Sequence, residues 1–263
     1  MISILIPTIN NTECLKLCIN YLEKHTKSAF EILIYNNGGN QASSDFINSL
    51  SHKSLSSSYN TGVCKAYNEL AKLAEGEYLL LWDDDKLALP LWDVNILPLI
   101  ETEGEFAWKS LVEIWPHNTN PCSIQYDFGQ SPSTLQATKL LATVNELFFP
   151  RKVSLSVSQL MTKKLFDAIG GYDELFYPGF GSDPDIMWRS FCFLGKTPQK
   201  FLNANSSFYY HFTSATTNRI FRYKFVTYCL RAYGHCLFFV KHGFLVRHLR
   251  KKTSHGLLET ALQ

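Results

Sequence analysis

Three consecutive carboxylates, Asp83-Asp84-Asp85, stand directly behind the apolar run Tyr78-Leu79-Leu80-Leu81-Trp82, a sharp constraint on any fold. The run has the length of a buried strand. Three like charges at its end repel one another, and folding does not ask for them. A divalent cation takes oxygen ligands and offsets repulsion that would otherwise raise the pKa of at least one carboxylate. The plainer reading is an acidic turn, since Asp is common where strands stop. One Asp fits that reading easily; three fit it poorly.

Strand and helix signals alternate around this run. Ile2–Ile6 is apolar and ends at Pro7, and Asn11 and Thr12 offer N-caps for a helix to about Lys24. Phe30–Tyr35 reads as the next strand, closed by a turn at Asn36-Asn37-Gly38-Gly39. Helices are expected over Ser44–Leu50 and Val63–Ala74. Farther on, the pattern predicts a helix at Leu91–Ile100, a strand at Phe106–Ile114 and a long irregular segment over 115–150. A strand at Val157–Met161 and a short helix at Lys163–Ile169 follow, and Asp183-Pro184 reads as an N-cap with Pro in the first turn of a helix to about Leu194.

Repeated strand–helix units predict an α/β fold, a mostly parallel sheet with helices on both faces. Such sheets bind ligands beyond the carboxyl ends of their strands. Pro7-Thr8, Asn36-Asn37 and Asp83–Asp85 all follow such ends and are expected to converge on one crevice.

Seven cysteines, an odd number with no CxxC pair, suggest reduced thiols and a cytoplasmic setting. The strand-like run entered at Ile2 leaves no room for a targeting segment, and no stretch approaches the ~20 apolar residues of a spanning helix. The net charge of +2 hides an asymmetry. Arg219–Lys252 holds nine Lys/Arg and no Asp or Glu, whereas residues 1–218 carry 16 basic against 22 acidic side chains, a net of −6. Phe221, Phe225, Tyr228, Cys229 and Ala232 fall near helical spacing, with Arg222, Lys224 and Arg231 between them. A basic amphipathic helix can lie peripherally on the cytoplasmic face of an anionic membrane; a docked helix with a solvated cationic face is the alternative. An acidic body without a recognisable nucleic-acid motif argues against nucleic acid as a partner.

Taken in order, several segments resemble the family 2 glycosyltransferases, with their GT-A nucleotide-sugar-binding fold. They are Ile4-Leu5-Ile6-Pro7-Thr8, Glu31–Gly38, Asn60-Thr61-Gly62, the run from Ala74 into Asp83-Asp84-Asp85, Phe166–Glu174 (similar to "iGGfDE") and Gly181–Arg189 (similar to "G-x-E-D-x-D-L-x-x-R"). The resemblance covers most of residues 1–212. It implies a glycosyltransferase domain with a nucleotide-sugar-binding half (1–112) and an acceptor-binding half (113–212), followed by a basic helical extension (213–263). It further implies that Asp83 and Asp85 are the outer members of a DxD motif. Asp85 would ligate Mn²⁺ or Mg²⁺ on the donor diphosphate, Asp83 would reach the ribose or the metal, and Asp84 would contact the sugar or face solvent. His211 resembles a further metal ligand, although a histidine among aromatics is more often a core residue.

Inverting transfer needs a carboxylate to take the acceptor's proton. Asp183 matches the family's base and Asp185 competes for the role; Ser182 stands where the family has Glu. Asp183 also fits a plain helix cap. The donor base is expected near Pro7, Thr8 and Asn36, whose amide can both accept and donate, so that UDP is compatible, dTDP presents the same edge and a guanine donor stays open. Asn60 would help line the nucleotide pocket and Lys65 would approach the diphosphate; a turn and a solvated lysine are their plainer roles. Trp115, Tyr126, Phe176, Tyr177 and Phe180 could stack on the sugars of a glycan or lipid-linked glycan acceptor.

The reading is an inverting, metal-dependent transfer from a nucleoside-diphosphate sugar to a glycan or glycolipid hydroxyl. Two rivals stand beside it. A sugar-1-phosphate nucleotidyltransferase would normally show a Gly-rich basic loop after the first strand, which Pro7–Asn11 lacks. A non-catalytic glycan-binding module on the same fold would have no need of Asp83, Asp85, Asp183 and His211 together.

Overall fold

The computed structural model describes residues 1–117, 123–153, 158–212 and 224–249. Strands β1 (Ile2–Thr8), β2 (Phe30–Asn37), β3 (Lys53–Ser57) and β4 (Tyr78–Leu81) run parallel. With β9 (Gln159–Thr162) and β6 (Trp108–Ser110) they form one sheet, ordered β3-β2-β1-β4-β9-β6, in which β9 is antiparallel to both neighbours.

Side chains alternate across a strand, so each strand feeds two cores. Ile2, Ile4 and Ile6, with Ile32, Ile34 and Leu80, meet Leu15, Ile19 and Leu22 of α1 (Thr12–His25) and Trp92 and Ile96 of α4 (Trp92–Glu101). Leu5, Leu33, Tyr35, Leu79 and Leu81 face the other way, onto Tyr67 and Leu70 of α3 (Val63–Leu73). Burying each such aliphatic side chain contributes about 1.5–3 kcal/mol before conformational entropy is subtracted. The mostly parallel α/β sheet with a helical layer on each face is the expected fold. Helix α2 (Gln41–Asn48), capped by Asn40, starts three residues earlier than its sequence suggests.

A second sheet, β5-β10-β7-β8, is built from β5 (Lys86–Ala88), β10 (Phe208–His211), β7 (Val112–Trp115) and β8 (Ser123–Gln125). Its core joins Leu87, Val112, Ile114, Phe128 and Tyr210 to Leu140 of α5 (Ala137–Val144). The acidic triplet is the joint between the two sheets: β4 ends at Leu81 and β5 begins at Lys86.

Several expectations need correction. Asn36 and Asn37 complete β2 rather than start a turn, because they stay in register with Thr8 of β1 and with Ser56 and Ser57 of β3. The run Phe106–Ile114 is two strands, cut at Leu111, whose halves pair in different sheets. Segment 115–150 is not wholly irregular, since it holds β8 and α5. Val157 lies outside the described residues. Helix α6 (Lys163–Ala168) is capped by Thr162. Helix α7 (Ser182–Phe193) is capped by Gly181 at φ +89, so Asp183 sits inside the first turn rather than at the cap.

The basic tail contains α8 (Lys224–His242), docked across the loop between α6 and α7. Phe221 and Arg222 lie outside the described residues. Gly234 and Phe238 are buried on the docking side, whereas Phe225, Tyr228, Cys229 and Ala232, expected to form one stripe, point away from the protein. No helix among the described residues is long and apolar enough to cross a membrane.

The crossing of α8 is close. A Cβ added at Gly234 would stand 1.9 Å from the Phe180 carbonyl oxygen. Gly234→Ala is therefore expected to cost about 1–3 kcal/mol, the usual range for overpacking, measured as a shift in the urea midpoint. An unchanged midpoint would mean that α8 does not cross Phe180 at this distance.

Candidate active site

The turn after β4 points its three carboxylates in different directions. Asp84 goes inward and is 3% exposed; Thr8 Oγ1 donates to its Oδ2 at 2.6 Å and Asn11 Nδ2 to its Oδ1 at 2.9 Å. Asp84 therefore neither faces solvent nor turns its oxygens to the cleft. Burial, reinforced by the charge of Asp85, raises its pKa.

Asp83 keeps 41% of its side-chain surface open, with Lys86 and Tyr67 against its other sides. Lys86 Nζ lies 2.5 Å from Asp83 Oδ2 as an ion pair rather than an aligned hydrogen bond. That ammonium is fully buried, over the rings of Trp82 and Tyr209 at 5.9 and 5.5 Å. The Tyr67 hydroxyl lies 3.1 Å from Asp83 Oδ1 and 2.9 Å from the Trp82 carbonyl. Burial pushes the Asp83 carboxyl up, but the charge and contact of Lys86, joined by His211 and the Tyr67 hydroxyl, together bring the net shift downward.

Asp85 meets His211. The pairing of β10 with β5 sets His211 opposite Lys86 and brings its Nε2 to 3.2 Å from Asp85 Oδ1. The other ring nitrogen lies 2.7 Å from Glu113 Oε1. Burial disfavours the imidazolium, yet Asp85 and then Glu113 overcome this and raise the His211 pKa to about 10. Trp115 stacks on the His211 ring, with centroids 6.2 Å apart and planes at 20°.

Asp183 and Asp185 part company. Both oxygens of Asp185 are taken: Arg189 Nε donates to Oδ2 at 2.8 Å, while Lys241 Nζ and His242 Nε2 each lie 2.8 Å from Oδ1. With 0% exposure it cannot meet an acceptor, so its expected competition for the base role ends here. Asp183 is half-buried, and Tyr172 donates its hydroxyl to Oδ1 at 3.0 Å. Burial and the charge of Asp83 push its pKa up to about 6, held back by Lys86 and by the Tyr172 hydroxyl. Tyr172 stacks on Tyr67 with centroids 5.2 Å apart and planes at 16°. One chain of contacts thus runs Asp83–Tyr67–Tyr172–Asp183.

The residues expected to meet a nucleotide are less directly presented than the sequence suggests. Asn36 accepts from the Gly39 amide and donates to Ser44 Oγ, and Thr8 is committed to Asp84, so each spends polar atoms inside the protein. Pro7 is half-buried beside Thr8. Asn60 accepts from the Gly62 amide and from Asn37 Nδ2, while Asn37 Oδ1 accepts from the amide and hydroxyl of Thr61. Lys65, half-buried in the first turn of α3, forms no ion pair among the described residues. Phe176 is fully buried in the core and unavailable to sugar; Tyr177 is exposed and lies against Gly62.

Sequence reasoning overlooked Tyr67, Lys86 and Glu113. The last two had a signal: Glu113 is a lone charge in an apolar run, and Lys86 directly follows three carboxylates. Tyr67 had none, because a tyrosine on an amphipathic helix normally packs.

Because Asp84 holds its proton more tightly when folded than when unfolded, its contribution is greatest at acid pH and falls as pH rises through the raised value. Asp84→Asn is expected to flatten that fall while keeping an acceptor for Asn11. Urea midpoints from acid to neutral pH would test this, and an unchanged slope would contradict it.

Residues 3–121 match the family model described as Glycosyl transferase family 2. No curated protein matches the chain in sequence. Among solved structures the fold is similar to GalNAc-T7 with UDP, GalNAc and Mn²⁺, with a TM-score of 0.59 and 16% identity over 80% of this chain and 43% of that one. It is also similar to S. aureus TarS (TM-score 0.52, 16% identity, 81% and 37% coverage) and to TarS 1-349 (0.51, 16%, 81% and 58%). The chain thus spans less than two thirds of the length of each, and at this identity the likeness is one of fold.

Proposed function

We propose that the chain, whose residues 3–121 match the Glycosyl transferase family 2 model, transfers a sugar from a nucleoside-diphosphate donor, UDP-linked, to a hydroxyl of a glycan or glycolipid with inversion. One observation carries the reading: the Tyr67–Tyr172 stack joins a carboxylate at the end of β4 to a second, proton-accepting carboxylate on α7. Two carboxylates whose environments push their pKa values apart are the mark of divided roles. Asp83, neutralised by Lys86, stays ionised; Asp183, with no ion pair among the described residues, can take and release a proton near neutrality.

In this mechanism Asp183 Oδ2 accepts the acceptor's proton while Tyr172 holds Oδ1. The acceptor oxygen attacks the anomeric carbon as the bond to the diphosphate breaks, which inverts the configuration. Asp83 already has a protein cation, so its role is a contact to the donor ribose rather than metal ligation. Lys65 is assigned to the diphosphate. Pro7, Thr8, Asn36 and Asn60 shape the nucleoside end without reading the base through every polar atom.

Asp85 and His211 would suit a dication that takes the place of the ring proton which Asp85 and Glu113 otherwise stabilise. They converge at 3.2 Å, and Glu113 orients the imidazole as carboxylates commonly do behind metal-bound histidines. Among the described residues no three His, Cys, Asp or Glu side chains form a metal-holding group. An ion there would have Asp85 and His211 as its protein ligands. When bound, Mn²⁺ or Mg²⁺ supplies charge stabilisation to the departing diphosphate. The fold neighbour GalNAc-T7, described with UDP and Mn²⁺, supports the donor and metal assignments.

Calorimetry of UDP with and without Mn²⁺ tests the donor site. Strengthened UDP binding with Mn²⁺ is expected, together with release of nucleoside diphosphate rather than pyrophosphate during turnover. Glu113→Gln should weaken metal-dependent binding ~10–100-fold; an equal affinity would remove His211 from the ligand set. Asp183→Asn should bind UDP normally and lose kcat by ~10²–10⁴-fold. A base must be deprotonated, so the wild-type rate should rise with pH through about 6 and level off above it. A rate falling across that range would reject Asp183 as the base.

A further inference from the structure

Helix α8 is apolar on both sides, which a helix at the edge of a water-soluble domain does not need. Its inner side docks through Gly234 and Phe238, and through Lys241 and His242 on Asp185. Its outer side carries Phe225, Tyr228, Ala232 and Phe239, spaced three, four and seven apart along one helical face, with Val240 beside Phe239. These are not stray exposures: Phe225 is 76%, Tyr228 73% and Val240 78% accessible, and Phe239 is also exposed. Over 19 residues the face extends roughly 28 Å.

We infer that this outward face of α8 rests on an anionic lipid surface. The argument for that occupant is charge. The face is bordered by the exposed Lys224 and lies within a stretch from Arg219 to Lys252 that has nine Lys/Arg and no acidic residue. The rest of the chain through residue 218 has a net charge of −6, so the cations are segregated rather than dispersed. A second copy packed on the same face would bring two such cationic stretches together. A layer of lipid phosphates would neutralise them while the aromatic and aliphatic side chains enter the acyl boundary.

The docking side gives the surface a consequence. Tyr233 donates to the Leu175 carbonyl, Arg231 lies over the Phe180 ring, and Gly234 abuts the Phe180 carbonyl. The helix and the loop leading to Asp183 are therefore one packed unit. If the proposed transfer holds, the acceptor side of the cleft lies beside the bilayer, which fits a lipid-linked acceptor. The lipid contact itself rests on α8 alone, and its test uses no sugar or nucleotide.

The full chain would be floated with phosphatidylcholine vesicles and with phosphatidylcholine–phosphatidylglycerol vesicles. Recovery with the anionic vesicles, reduced by salt, is expected. The variant Phe225→Ser/Phe239→Ser/Val240→Ser should lose recovery ~tenfold or more, as three side chains withdraw from the interface. Circular dichroism would check its fold. Lys224→Gln/Arg247→Gln, which leaves the apolar face intact, should weaken recovery less and reduce its salt sensitivity. Cys229 and Cys236, both exposed in α8, provide a second readout: a maleimide should modify them quickly without lipid and slowly with anionic vesicles. Absence of flotation, undiminished flotation of the triple variant, or thiols protected without lipid would each overturn the inference. So would a concentration-dependent dimer abolished by the three serine substitutions, which would assign the face to a second copy.

Discussion

Asp84, taken by hydroxyl and amide donors at 2.6 and 2.9 Å, ties the end of β4 to the loop that follows β1. The rest of the cleft depends on that tie. A buried carboxylate without donors would be expelled to water, and the turn between the two sheets would turn with it. Anchoring the middle Asp inward leaves its neighbours pointing outward, one to Lys86 and Tyr67, the other to His211. The repulsion within the triplet is thereby distributed: one carboxylate is hydrogen-bonded, one faces an ammonium and one an imidazole.

Compensation is uneven between the two carboxylates at Asp83 and Asp183. Asp83 and Asp183 feel each other's charge, but Lys86 sits against only the first. Removing a carboxylate from water without supplying a partner raises its pKa, and Asp183 accordingly rises to about 6. The stacked tyrosines hold the two groups in fixed relation. Both phenols are pushed toward their neutral, proton-donating form chiefly by burial.

Asp185 shows a different use of the same residue type, only two positions away. Three cationic or ring groups converge on it from α7 and α8, and it makes α8 part of the wall behind Asp183. Buried ion clusters of this kind contribute more to a unique arrangement than to net stability. Here the arrangement joins the helix that carries Asp183 to a helix whose other face is largely apolar and exposed.

Much was legible in the sequence because it rests on short-range rules. Strand–helix alternation, apolar runs and the acidic triplet specified a mostly parallel sheet and a crevice at its carboxyl end. The resemblance of ordered segments supplied the candidate residues. Partners distant in sequence were not legible. Nothing local tells that Asp84 looks back to Thr8, 76 positions earlier, or that His211 would find Glu113, 98 positions away. Local spacing also could not separate Asp183 from Asp185, since both lie in one helical turn. Their difference comes from α8, which covers one and leaves the other beside the cleft. The same helix shows why a stripe of apolar residues is ambiguous: periodicity reports that one face is hydrophobic, and only packing decides whether that face turns toward the core or away from it.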